Sequence, residues 1–296
     1  MLKTKVVEEQ DLEKISPVFK GKKGHRLARF IMQLFAIDKI NSVYENSCNY
    51  TGVEFSKRLL KDLGVEYVVG NPENLQLLPK GAFITISNHP YGGLDGIMLI
   101  DLMVKIRPDY KLMVNKFLSL IKTMEGNFIT VTPKTNSSNI TATTSLKGIR
   151  ETLTRLQNGH PVGFFPSGAV SNFEIKKLCL RDREWQESVL KMIYAAKVPI
   201  VPIRFFNHNS WFFYFLGLID WKIRAIRMPH EIFNKQKQKP LIGIGKIISV
   251  EEQAAFPDYK SLGLFLRESI YSMSRPVSYC PKAELEILKK SKHTAK

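Results

Sequence analysis

Short runs of β-branched and aromatic residues recur along the middle of this chain, separated by stretches with helical periodicity, and that alternation most limits its fold. The runs are VEYVV (65–69), GAFITIS (81–87), YKLMV (110–114), NFITV (127–131), PVGFF (161–165), PIVPIRF (199–205) and LIGIGKI (241–247). Helical patterns lie between them near 96–105, 117–125, 143–157 and 185–197. Strands alternating with helices predict an α/β domain built on a central mixed sheet flanked by helices. No repeat, low-complexity linker or compositional break interrupts residues 65–250, so this stretch reads as one domain. With 296 residues, of which 44% are hydrophobic, the chain is long enough for one large core.

Two flanking segments complete the reading. Residues 1–64 form an N-terminal basic segment containing GKKGHRLARFIMQLFAI. There Leu27, Phe30, Ile31, Leu34 and Phe35 recur at helical spacing behind Lys22, Lys23, Arg26 and Arg29. The pattern predicts an amphipathic helix whose stripe faces either a core or a membrane surface. Residues 251–296 are expected to be a C-terminal helical segment ending in the basic tail LKKSKHTAK. The N-terminus has no apolar signal core, and no stretch reaches the ~18 uninterrupted apolar residues of a membrane span.

Charge and cysteine usage narrow the partners. Lys and Arg number 44 against 27 Asp and Glu, a formal +17, which predicts a negatively charged partner, either nucleic acid or anionic lipid. Cys48, Cys179 and Cys280 are odd in number and widely spaced, with no CxxC. They argue against a disulfide framework or a zinc site and fit a reducing compartment.

The stretch SNHPYGGLDGIML (87–99) carries the strongest chemical signal. It follows an apolar strand pattern and opens into an apolar helix pattern, so His89 and Asp95 fall on a loop at the carboxyl edge of the sheet, where open α/β folds place ligands. Gly92 and Gly93 permit a backbone path that returns Asp95 towards the His89 ring. A carboxylate on one ring nitrogen fixes the tautomer and leaves the other nitrogen as a general base. The plain alternative is a loop histidine with Asp95 capping the helix. A second strand pattern, HPVGFFPSGAVS (160–171), ends in the turn Phe165-Pro166-Ser167-Gly168, whose small residues would let a ligand approach backbone N–H groups. The third piece, KVPIVPIRFFNHNSWFFYFLGL, joins a strand to an aromatic cluster at Trp211–Phe215, which suits a core, an acyl groove or a lipid surface.

In this order and spacing, NHPYGGLDG, FFPSGAVS and DREW…VPIVPIRFFNHNSWFF…GIGKII resemble the lysophospholipid acyltransferase family, of the 1-acylglycerol-3-phosphate acyltransferase type. They are most similar to the branch reading Asn-His-Pro-x-Gly-Gly-x-Asp, which includes the O-acyltransferases of ornithine- and glycine-lipid synthesis. The resemblance covers roughly residues 65–250. Three departures stand out. The gap from His89 to Asp95 is one residue longer than the commoner form, Val131 stands near the place of a motif arginine, and Ser167 replaces a motif glutamate.

The resemblance implies transfer of a fatty acyl group from an acyl thioester to a hydroxyl on a single-chain lipid acceptor. His89 would be the base and Asp95 its orienter. Asn88, Lys116, Phe165, Pro166, Ser167 and Gly168 would contact substrate, with backbone N–H groups around Gly168 holding the acceptor or the oxyanion. Neither a metal nor a bound cofactor is implied, and the donor would be a thioester of acyl carrier protein or coenzyme A. The implied partners are that donor, a single-chain lipid and an anionic membrane surface rather than nucleic acid. The implied location is peripheral, at the cytoplasmic face of the inner membrane. The weakened arginine and glutamate positions favour a lyso amino-acid lipid over lysophosphatidic acid, whose phosphate wants a guanidinium fork. Two other readings compete: a serine esterase with Ser167 as nucleophile, against which stands the missing Gly-x-Ser-x-Gly elbow, and a basic nucleic-acid binder, against which stands the clustering of the aromatics.

Overall fold

The computed structural model describes residues 4–115, 118, 121–131, 139–282 and 284–285. Helices α1 (Glu9–Ile15), α2 (Gly21–Leu34), α3 (Ile37–Ser47) and α4 (Gly52–Asp62) precede strand β1 (Val68–Gly70). Next come β2 (Ile84–Ser87), α5 (Gly93–Met103), β3 (Lys111–Asn115), β4 (Phe128–Val131), α6 (Asn139–Gln157) and β5 (Val162–Phe164). A short hairpin, β6 (Asn172–Glu174) and β7 (Cys179–Arg181), leads to α7 (Glu187–Ala196) and β8 (Ile200–Phe205). Two helices, α8 (Trp211–Ile219) and α9 (Trp221–Phe233), then precede β9 (Leu241–Ile244), α10 (Val250–Ala254), α11 (Tyr259–Tyr271) and β10 (Tyr279–Pro281).

All the β-rich runs of the sequence form strands, and they join one eight-stranded sheet in the order β10-β1-β9-β8-β2-β5-β3-β4. Neighbours are parallel except β8 with β9 and β1 with β10, so the sheet is mixed as expected. Three of the helix patterns form α5, α6 and α7. The fourth, expected over 117–125, gives a 3-10 segment at Lys122–Asn127, and Lys116, Phe117, Ser119 and Leu120 lie outside the described residues.

Strand residues alternate between two apolar layers because successive side chains point to opposite faces. Val201 and Ile203 of β8 and Ile242 of β9 pack with Phe55 and Leu60 of α4 and Leu99 and Met103 of α5. Ile84 and Ile86 of β2 and Ile200 of β8 face the other way, onto Leu156 of α6, Ile193 of α7 and Leu266 of α11. Each fully buried aliphatic side chain contributes about 1.5–3 kcal/mol of transfer free energy. The segments before residue 65 and after residue 250 share these layers, and β10 extends the sheet.

The amphipathic helix forms as α2, but its apolar stripe does not turn into the core. Gly24, Ala28 and Met32 are the buried positions, whereas Leu27, Phe30 and Leu34 are exposed. Gly24 and Ala28 let the helix pack closely on that side, which leaves Leu27, Phe30 and Leu34 outside with Ile31 and Phe35 half-buried. The core-facing reading of this stripe is therefore corrected. No helix among the described residues is long and apolar enough to cross a membrane.

Candidate active site

The site gathers where β2, β5 and β8 end, at the carboxyl edge of the parallel part of the sheet. Asn88, one residue beyond β2, donates from Nδ2 to the Phe205 carbonyl at 2.9 Å and accepts the Phe205 N–H at 2.8 Å. This reciprocal pair pins the start of the histidine loop to the end of β8. His89 follows with its side chain 17% exposed, and its Nδ1 lies 2.9 Å from Oδ2 of fully buried Asp95, off the straight N–H···O line. Catalytic hydrogen bonds often align fully only once substrate binds.

Asp95 has a second task. The same Oδ2 accepts the backbone N–H groups of Tyr91 at 2.9 Å and Gly92 at 3.0 Å, which fixes the first turn of α5. Helix capping and histidine orientation, which the sequence offered as alternatives, are thus combined in one oxygen. Gly92 has φ 81°, and a Cβ there would stand 2.8 Å from Met228 Sδ, so the extra residue in the loop is absorbed at a position suited to glycine. Burial pushes the Asp95 carboxyl above the ordinary carboxylate range, opposed by His89 and by the two N–H donors.

The loop after β5 supplies the other wall. The Phe165 ring stacks on the His89 imidazole with centroids 4.1 Å apart. Pro166 is buried, and Ser167 is fully buried with its hydroxyl donating to the Ala169 carbonyl at 2.8 Å. The Gly168 N–H closes the turn onto the Phe165 carbonyl at 2.8 Å, and the Ala169 N–H faces Ser167 Oγ at 3.4 Å. These N–H groups are engaged inside the turn, a departure from the expectation that they face an incoming oxygen. The buried Ser167 hydroxyl, held in its own turn, also lacks the exposure that a serine nucleophile needs. Lys116 falls outside the described residues.

Residues that carried no individual role in the sequence complete the site. Asp182, buried at the end of β7, accepts the His89 N–H at 3.2 Å and the Ser171 hydroxyl on the same Oδ1, while the Ser171 N–H donates to the His89 carbonyl at 2.9 Å. Arg183 donates from Nε to the Ser167 carbonyl at 3.0 Å, and Arg224 reaches the Ser171 carbonyl at 3.2 Å. Arg204, by contrast, is committed to the Tyr271 and Met273 carbonyls at the C-terminal end of α11. Over the histidine loop lie α8 and α9: Tyr214 donates to the Pro90 carbonyl at 3.2 Å, and Met228 packs on Gly92. Just past α9, the buried Lys235 Nζ sits 5.3 Å from the Tyr91 ring centroid and 3.2 Å from Glu231 Oε2. Burial pulls the Lys235 ammonium pKa down, with Glu231 and Asp95 opposing it.

A protein-family model described as Acyltransferase matches residues 12–278. The chain belongs to this acyltransferase family. The acyltransferase is 25% identical over 249 residues to the Lyso-glycine lipid O-acyltransferase of Phocaeicola vulgatus, covering 80% of this chain and 85% of that protein. It is 26% identical over 250 residues to the protein of the same name from Bacteroides thetaiotaomicron, covering 80% and 88%. The acyltransferase also aligns with the 1-acyl-sn-glycerophosphate (LPA) acyltransferase PlsC of Thermotoga maritima over 83% of this chain and 86% of that one, at 15% identity and a TM-score of 0.47.

Proposed function

We propose that this acyltransferase moves a fatty acyl group from an acyl thioester, on acyl carrier protein or coenzyme A, to the hydroxyl of a single-chain amino-acid lipid of glycine or ornithine type. The observation that carries the reading is the His89–Asp95 contact on a loop at the carboxyl edge of the sheet. Asp95 on Nδ1 leaves Nε2 to take the proton of the acceptor hydroxyl as its oxygen attacks the thioester carbonyl. The tetrahedral intermediate then expels the thiolate, which takes that proton back from the imidazolium. The products are an ester and a free thiol. Asp95 stabilises the imidazolium that exists between the two transfers.

The choice of acceptor rests on Val131, which stands where the resemblance puts a phosphate-binding arginine. Val131 packs closely against α6, where a Cβ on Gly148 would lie 2.4 Å from Val131 Cγ1. An arginine at that place would need room which the helix occupies. Both curated relatives are named for a lyso-glycine lipid, and that supports the same reading. Lysophosphatidic acid is the alternative acceptor. The +17 charge supports peripheral work at the cytoplasmic face of an anionic inner membrane and use of an acidic or phosphorylated donor carrier.

The deciding experiment presents the purified enzyme with one acyl donor and, side by side, lyso-glycine lipid, lyso-ornithine lipid and lysophosphatidic acid. A higher kcat/KM on an amino-acid lipid is expected. Preference for lysophosphatidic acid overturns the acceptor assignment, and no transfer to any of them overturns the acyl-transfer reading.

A further inference from the structure

The helices α8 and α9 have two unlike faces. Inward, Tyr214 and Met228 close over Pro90 and Gly92 of the histidine loop, and Arg224 holds the Ser171 carbonyl. Outward, Trp211, Phe212, Phe215, Ile219 and Trp221 each leave more than half of their surface exposed. Exposed apolar side chains clustered in this way mark an interaction site. Ile175 and Leu178 at the tip of the β6–β7 hairpin, 62% and 77% exposed, stand beside it with Lys176 and Lys177 between them. Phe173 of β6 meets Trp211 edge-on with centroids 6.0 Å apart, so the tip and α8 are contiguous. At the far end, His230 of α9 contacts the Leu34 carbonyl at 2.8 Å, which ties the exposed stripe of α2 to the same assembly.

We propose that the α8–α9 pair is the bilayer-docking element and at the same time the roof of the catalytic loop. It lies flat in the interface of an anionic leaflet with the β6–β7 tip beside it, so that a single-chain acceptor reaches His89 without leaving lipid. This rests on the lipid-acceptor reading above. Exposed tryptophans and phenylalanines rimmed by lysines match an interface in which rings sit at the headgroup level and ammonium groups meet lipid phosphates. A second copy of the chain is the poorer occupant, because it would bring two +17 bodies together.

The test uses the full chain and the triple variant Phe212→Ser, Phe215→Ser, Ile219→Ser, whose native side chains are each more than half exposed. Circular dichroism and thermal melting establish that the variant is folded. Sedimentation with phosphatidylglycerol/phosphatidylethanolamine vesicles reads docking without turnover. Transfer to acceptor embedded in those vesicles, and to short-chain acceptor dispersed in detergent, reads coupling to the site. The wild type is expected to sediment with vesicles and the variant to lose about tenfold or more in vesicle affinity. Transfer in vesicles should fall in step while transfer in detergent is kept. A folded variant that binds vesicles as the wild type does overturns the proposal. So does a variant that changes from dimer to monomer with unchanged vesicle binding, which assigns the face to a second copy. Equal loss of transfer in vesicles and in detergent assigns the patch to the chemistry and also overturns it. Vesicle binding lost in the variant, with no transfer by the wild type to any acceptor, upholds the docking element and removes the acyl-transfer reading alone.

Discussion

Asp182 holds His89 by its backbone and not by its ring, since Oδ1 accepts the His89 N–H at 3.2 Å. With the Ser171 hydroxyl on the same oxygen, one buried carboxylate joins the loop after β2 to the loop after β5. Burial pushes its carboxyl up, opposed by the Ser171 hydrogen bond and by the charge of His89. Asp182→Ala should therefore lower kcat by roughly 10–100-fold, since small misplacements of a catalytic group cost rates of that order. Asp182→Asn keeps an oxygen that can accept both donors, and should recover most of the loss. Equal kcat in the two variants would show that hydrogen bonding by this side chain does not position the histidine.

His89→Ala removes the proposed general base. Turnover should fall by about 10²–10⁴-fold in a variant that still melts cooperatively, because the imidazole is partly exposed and stacks on Phe165. Single-turnover assays of the purified variant check this. Near wild-type rates would remove the general-base mechanism.

Asp95→Asn separates stability from activity. The Asp95 pKa is raised in the folded state, so between the ordinary carboxylate range and that raised value the folded protein holds more protons than the unfolded chain. Stability contributed at this site therefore falls as pH rises through that window. The amide oxygen can still accept from Tyr91 and Gly92 but carries no buried charge. The melting temperature of the variant relative to wild type should rise as pH climbs above the ordinary carboxylate range, while turnover falls by roughly 10²–10⁴-fold. A difference in melting temperature that is flat with pH would contradict the raised pKa.

Gly92→Ala tests the loop geometry. With φ 81° and ψ −129°, this backbone conformation costs a residue with a Cβ roughly 1–3 kcal/mol, and the methyl would also press on Met228. Denaturant unfolding should show a loss of that size or more. Adding Met228→Ala should relieve the steric part and leave the conformational part, giving a non-additive double-mutant cycle. Full additivity would mean that Met228 yields freely.

The strands were legible where the sheet is buried on both faces. Continuous apolar runs such as ITIS and LIGI announce such strands. The three-residue strands NFE, CLR and YCP carry no such run, being short, mostly half-buried or exposed, and mixed in polarity. His89 and Asp95 could be paired from the sequence because they share one loop. Asp182 could not, since its partner His89 is 93 positions away and an aspartate inside RDRE reads as a surface charge. The α2 stripe shows what periodicity leaves out: it marks which residues share a face, and packing through Gly24, Ala28 and Met32 decides which face is covered.

The place of β1 between β9 and β10 bears on how the chain is made. Residues 84–205 contain every strand of the β8-β2-β5-β3-β4 half, so that half can close while later residues are still being synthesised. Val68–Gly70 must wait for Leu241–Gly243 on one side and Tyr279–Pro281 on the other. Pairings between such distant segments form slowly, and until they form the strand is an open edge available to the wrong neighbour. A chain cut short before Tyr279 would keep that edge permanently open, which makes the last strand a guard against aggregation as much as a part of the core.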